Sequence, residues 1–314
     1  MSTSSPATET ASPACWSQPG GKISNGSWNE DKLSNWTECD NSHSSRVPVT
    51  LLLCLCGMLG NGAVLWLLGF RTRRNPITIC ILSLAIADFT FLLFITIALG
   101  IFYVPESFCH QLGSRGVTAG LNVTILFSFT ARLYSLTALS AGTALFVLPV
   151  SCWLCHRSQR FPVLLCALLW LLSFLLTVTP CFCPSVLVAL VLSYLFSGLT
   201  LLCSALALLA RLLCCSWKQP PRKLCALVLL PVTFFPFFTA DFGFWLLLRA
   251  FDLSVFALST SVLLACANSS AHPLIYFLAG SCAKEFTLSV RVAFQRAFED
   301  VLEPRNRDNT VESS

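Results

Sequence analysis

The chain has 314 residues, of which 55% are hydrophobic and 11% charged, against about 45–50% and 25% in ordinary globular domains. With a mean hydropathy of +0.73, this composition excludes a water-soluble globular protein and points to a chain that crosses a membrane several times. The net charge of +5 is small and spread over the loops, so nothing argues for nucleic acid as a partner.

Residues 1–46 are rich in Ser, Thr, Asn and Pro and have no early apolar core. They read as a disordered tail with no signal peptide. Asn25-Gly26-Ser27 and Asn35-Trp36-Thr37 match the N-glycosylation pattern, so Asn25 and Asn35 are expected to carry glycans on an extracellular tail. Asn122-Val123-Thr124 and Asn268-Ser269-Ser270 also match, but they lie in apolar runs and are not expected to be modified.

Seven apolar stretches follow, at Val47–Phe70, Ile77–Ile101, Val117–Pro149, Phe161–Phe182, Val186–Cys215, Leu224–Leu248 and Leu253–Ala279. Each is long enough for a crossing, which needs roughly 20 apolar residues. After them, Phe286, Val290, Phe294 and Phe298 recur along one helical face of Ser281–Leu302, the pattern of a helix lying on the membrane surface. The expected fold is all-α: a seven-transmembrane helix bundle over residues 47–279, a short amphipathic helix over 280–303, and a tail over 304–314. Lys and Arg gather after the first span (Arg71, Arg73, Arg74), the third (Arg157, Arg160), the fifth (Lys218, Arg222, Lys223) and the seventh. Positive charge marks the cytoplasmic side, so the N-terminus is expected outside and the C-terminus inside, in the plasma membrane.

The polar residues inside the spans carry the functional information. Asp88 lies in Ser83-Leu84-Ala85-Ile86-Ala87-Asp88-Phe89, with no other charged side chain between Arg74 and Glu106. A mid-span charge costs about 2.5–3.5 kcal/mol on insertion scales, so it should face other helices or water and have partners. Arg132 in the third span and Asp241 in the sixth are under the same constraint. Asn268, His272 and Tyr276 are spaced four apart and therefore share a helix face. Such a polar ladder should face inward, as a switch or as a purely structural seam. Most of the 17 cysteines lie in apolar runs, where they act as small buried residues. No metal-ligand spacing and no nucleophile–base–orienter set is present, so neither a metal, a cofactor nor an enzymatic activity is expected.

Several phrases resemble the Mas-related G-protein-coupled receptors, of the rhodopsin-like class. They are Gly60-Asn61-Gly62-Ala63-Val64-Leu65-Trp66-Leu67-Leu68-Gly69, Leu136-Thr137-Ala138-Leu139-Ser140, Cys166-Ala167-Leu168-Leu169-Trp170, and Ala267-Asn268-Ser269-Ser270-Ala271-His272-Pro273-Leu274-Ile275-Tyr276-Phe277. They fall in order over roughly residues 47–302, and the chain reads as a divergent member of that family. The resemblance implies a receptor for an extracellular peptide or small cationic or amphipathic molecule, with a heterotrimeric G protein as its inner partner and membrane lipid around it. It also implies that the seventh-span ladder faces Asp88, together with Asn61. In many such receptors the acid matching Asp88 helps to hold a sodium ion beside a small polar residue of the third span, and the matching place here is Arg132. Arg132 is therefore expected to pair with Asp88 as a built-in cation, while Asn61, Asn268 and His272 fill the remaining hydrogen-bonding positions. An Arg132 facing a water-filled central cavity is the competing expectation.

The chain also departs from the family pattern. Gly142-Thr143-Ala144 stands where most of these receptors have an acidic-Arg triplet at the inner end of the third span. Asp241 stands where the sixth span usually has Pro before Phe-Gly, and His272 where the seventh has Asn before Pro. In the outer half, Asp241, with Trp245 one turn further out and Phe127 from the third span, forms the candidate cation-binding set; pairing of Asp241 with Arg249 is an equal reading. A receptor-like chain that does not couple, a decoy or dimer partner, is the alternative that the missing triplet raises. A transporter would show paired broken spans or an internal repeat, and neither is visible.

Overall fold

A computed structural model describes residues 30–71, 76–103, 115–147, 161–183, 185–214, 221–248 and 259–281, with 289, 291–294 and 296–297 beyond them. The side chains of residues 30–46, 237–238 and 240–248, and of a few residues near other helix ends, lie outside this description. The chain divides into two compact units, Met1–Asn41 and Ser42–Ser314. Of the first, only the helical backbone from Glu30 onward is described.

The described chain is a set of seven long helices: α1 (Glu30–Arg71), α2 (Pro76–Tyr103), α3 (Arg115–Val147), α4 (Phe161–Val178), α5 (Val186–Cys214), α6 (Pro221–Leu248) and α7 (Ser259–Ser281). Six carry apolar stretches long enough to cross a membrane, and α6 carries the shorter described stretch Leu224–Pro236. The architecture is the seven-transmembrane helical bundle that the apolar runs predict. Helix α1 begins upstream of Val47, where the sequence reading ends the tail, while its membrane-compatible part is Val47–Gly69. Asn35 falls on this helical backbone; Asn25 lies outside the described residues. The short turn Thr179–Cys181 caps α4, with Phe182 and Cys183 N–H groups donating to the Thr179 carbonyl at 2.9 and 2.8 Å. The chain then enters α5 at Val186.

Among these six helices α3 is the most enclosed, 72% buried over its apolar part, and α5 the least, 17%. The exposed side chains of α4 and α5 are Leu, Val and Phe, among them Leu164, Leu168, Leu171, Leu192, Leu195 and Phe196, as a lipid-facing surface requires. Apolar side chains gain nothing by leaving lipid for protein, so close packing and polar contacts must hold the helices together. The α1–α7 contact is an example. A Cβ added at Gly57 would overlap Ser270 Oγ and lie 2.6 Å from Leu92 Cδ1, and one at Gly60 would lie 2.7 Å from Pro273 Cγ. Glycine is what lets these backbones meet, and Ser270 Oγ then donates to the Leu53 carbonyl at 2.9 Å.

The amphipathic segment after α7 is described in part. Ala293, Phe294 and Ala297 are buried, and the Ala293 N–H donates to the Ser289 carbonyl at 2.9 Å, the bond of a helical turn. Phe286, Val290 and Phe298 lie outside the described residues.

Candidate functional site: a buried charge cluster

Asp88 is fully buried on α2. Its Oδ2 lies 2.6 Å from His272 Nδ1 on α7, and its Oδ1 lies 3.8 Å from Arg132 Nε on α3. An ionised carboxylate only accepts hydrogen bonds, so Nδ1 is the donor when Asp88 carries its charge. The Arg132 contact is an ion pair beyond hydrogen-bond range. Asp88 Oδ1, Arg132 Nε and His272 Nε2 have no hydrogen-bond partner among the described residues.

Arg132 is also fully buried. Its Nη1 donates to the Ala265 carbonyl at 3.3 Å and to Ser269 Oγ, both on α7. Three aromatic faces surround its Cζ: Phe91 of α2 at 5.0 Å, Phe129 of α3 at 5.2 Å and Phe235 of α6 at 5.1 Å from the ring centroids. All three lie within the roughly 6 Å range of cation–π attraction. Phe129 is itself stacked against Phe235 and Tyr194, each at 6.1 Å between centroids. Tyr194 of α5 is fixed by a 2.8 Å hydrogen bond between its hydroxyl and Thr130 Oγ1. A single guanidinium thus joins α2, α3, α6 and α7.

Asn61 completes the α1 side. Pro273 has no N–H, so the Ser269 carbonyl, four residues earlier, lacks its helical donor. Asn61 Nδ2 supplies one at 3.2 Å while also donating to the Gly57 carbonyl of its own helix at 2.9 Å. Asn61 therefore bonds α7 backbone. A second polar seam lies nearby: Trp170 Nε1 of α4 donates to Ser83 Oγ of α2 at 2.9 Å, and Ser83 and Ser135 hydroxyls are 2.9 Å apart.

The structure thus gathers Asp88, Arg132 and His272, with Asn61 linked to them through Ser269. Asn268 and Tyr276 are buried on α7, and Asn268 Nδ2 has no hydrogen-bond partner among the described residues. The outer set is placed differently. Asp241 and Trp245 sit on α6, but their side chains lie outside the described residues. Phe127 packs edge-on to Trp170 and Phe174 at 5.8 and 6.1 Å, on the α4 side of α3. The α3 ring that reaches α6 is Phe129, since two residues along a helix point roughly 200° apart. Sequence reasoning passed over Phe91, Phe129, Phe235 and Ser269. Two of them had a signal: Phe91 follows Asp88 by three, and Phe129 precedes Arg132 by three, each on its partner's helical face.

No protein-family model matches the chain. Over 288 residues, covering 84% of this chain and 86% of the relative, it is 35% identical to Mas-related G-protein coupled receptor member X2 of Hoolock hoolock. The human member X2 is 35% identical over 283 residues, 82% of this chain and 84% of the relative. The Proto-oncogene Mas of Mus musculus is 33% identical over 310 residues, 90% of this chain and 95% of the relative. The chain belongs to the Mas-related G-protein-coupled receptors. The family is one of receptors, not of enzymes, and both the helical bundle and the order of the sequence phrases agree with membership. In this Mas-related receptor the C-terminal end of α3 carries Gly142-Thr143-Ala144. Thr143 is buried, and its Oγ1 donates at 2.7 Å to the Leu139 carbonyl of its own helix. A Cβ on Gly142 would meet nothing within 4 Å.

Proposed function

We propose that the chain is a plasma-membrane receptor, N-terminus extracellular, that takes a peptide or a small cationic or amphipathic ligand in the outer half of the bundle. The observation that carries this reading is the buried cluster of Asp88, Arg132 and His272. It joins α2, α3 and α7 by charge and hydrogen bonds, and α6 through the Phe235 ring over the guanidinium, so a ligand that shifts α6 or α7 must disturb contacts to α2 and α3. Asp241 and Trp245 supply the acid and the aromatic wall for a cation. Asn25 and Asn35 carry the glycans of the outer tail. The test is a ligand panel read by direct binding to the purified full chain. Saturable binding of cationic ligands that Asp241→Asn weakens supports the reading; binding that ignores Asp241 removes the site.

A second reading has its own observation. The acidic-Arg triplet is replaced by Gly142-Thr143-Ala144, and the Thr143 hydroxyl is spent on its own helix. This favours a receptor-like chain that binds ligand or a partner receptor without activating a G protein. Agonist-stimulated nucleotide exchange on a panel of purified G proteins separates the two: exchange supports the coupled receptor, and ligand binding without exchange supports the silent one.

A further inference from the structure

The surroundings of Arg132 are built for a cation in a way that an ion pair alone would not require. The carboxylate is not engaged in the two-pronged hydrogen-bonded geometry that favours Arg in buried pairs. Arg132 Nε stands 3.8 Å from Asp88 Oδ1, and neither atom, nor Nη2, has a hydrogen-bond partner among the described residues. Instead Phe91, Phe129 and Phe235 stand at nearly equal distances of 5.0, 5.2 and 5.1 Å. Three aromatic faces around one positive centre form the arrangement by which proteins recognise alkylated ammonium ligands.

The walls are held independently of the arginine. Phe129 is stacked on both Phe235 and Tyr194, Tyr194 is hydrogen-bonded to Thr130, and Phe91 lies against Phe129 at 6.3 Å between centroids. The acid has its own support from His272 Nδ1 at 2.6 Å. We propose that Asp88, Phe91, Phe129 and Phe235 form a binding site for planar organic cations of the guanidinium class, which the chain fills with its own Arg132 side chain. Truncating that side chain opens the site to a free guanidinium cation. This inference does not depend on which ligand the outer half takes, or on whether the receptor couples.

The experiment is chemical rescue of the full chain, purified into lipid nanodiscs, with thermal unfolding as the readout. Arg132→Ala lowers Tm. Methylguanidinium chloride at millimolar concentration restores more than half of the loss, saturably, and leaves the unaltered chain unmoved. Urea, with the same planar shape and no charge, gives no recovery. Adding Phe235→Leu to Arg132→Ala weakens the rescue at least several-fold. Equal recovery by sodium chloride would mean that bare charge is all the site asks for, and would overturn the cage; so would no recovery by any guanidinium. If Arg132→Ala yields no folded protein, cell-surface delivery of Arg132→Lys and Arg132→Met, each with and without Phe235→Leu, decides. An advantage of Lys over Met that Phe235→Leu removes supports the aromatic cation site; an advantage that survives Phe235→Leu, or no advantage, overturns it.

Discussion

Breaking the Asp88–Arg132 pair should be costly in each single variant and much less so when both charges are removed. The two groups are fully buried, with Nε and Oδ1 3.8 Å apart. At about 4 Å and an effective dielectric of about 20, opposite unit charges attract by about 4 kcal/mol. That attraction offsets desolvation, so the pair adds little net stability, but removing one partner strands the other at a cost of roughly 3–5 kcal/mol. The two losses should differ. After Asp88→Asn the guanidinium keeps the Ala265 carbonyl, Ser269 Oγ and three rings. After Arg132→Met the carboxylate keeps His272 alone among the described residues, and the rings lose their cation, each contact being worth about 0.5–2 kcal/mol. Arg132→Met is therefore the more damaging single change, and the double variant Asp88→Asn/Arg132→Met should recover much of the loss. Thermal unfolding of the four chains in nanodiscs measures the cycle. A loss of about 3–5 kcal/mol corresponds to a fall in Tm on the order of 10 °C. Single losses that simply add in the double variant, with no coupling, would refute the reasoning.

Replacing Gly142-Thr143-Ala144 by the family's pattern (Gly142→Glu, Thr143→Arg, Ala144→Cys together) should raise constitutive G-protein activation; an unaltered chain that already signals like ordinary relatives would show the triplet to be dispensable. Asn25→Gln and Asn35→Gln should each increase gel mobility, and a C-terminal tag should be unreachable on intact cells; the reverse pattern would invert the topology. Asp241→Asn should weaken binding of cationic ligands without reducing surface delivery, whereas lost delivery would make Asp241 a structural residue.

The seven helices were legible because an apolar run of span length has few other readings. The proximity of Asp88 and Arg132 was legible because two rare charges of opposite sign at similar depth have few other places to go. The aromatic surround was half legible. Phe91 and Phe129 stand three residues from the charges they face, on the same helical sides, whereas Phe235 depends on how α6 is rotated. Pro231 and Pro236 lie inside α6 and each removes a backbone bond, so its facing residues cannot be read from period alone. Phe127 shows the cost of a small error in phase. It was expected beside Asp241, but it lies against Trp170 and Phe174, while Phe129 reaches α6. The role of Ser269 required knowing that α1 lies against α7, which no periodicity reveals.

That last contact supports a prediction of its own. Pro273 removes the donor that would satisfy the Ser269 carbonyl, and Asn61 of α1 restores it at 3.2 Å. Gly57 and Gly60 bring the two backbones close enough for this to happen. Asn61→Ala should therefore leave a buried carbonyl unpaired, at a cost of about 1–3 kcal/mol. Pro273→Ala returns the helical N–H to that same carbonyl. In the Asn61→Ala background it should recover stability, and in the unaltered chain, where the carbonyl is already satisfied, it should gain little or lose the fit of the ring against Gly60. The signature is a change in the effect of Pro273→Ala between the two backgrounds, read as Tm in nanodiscs. An effect identical in both would mean that Asn61 acts through Gly57 and its own helix alone, and that α1 and α7 are joined by packing and the Ser270–Leu53 hydrogen bond.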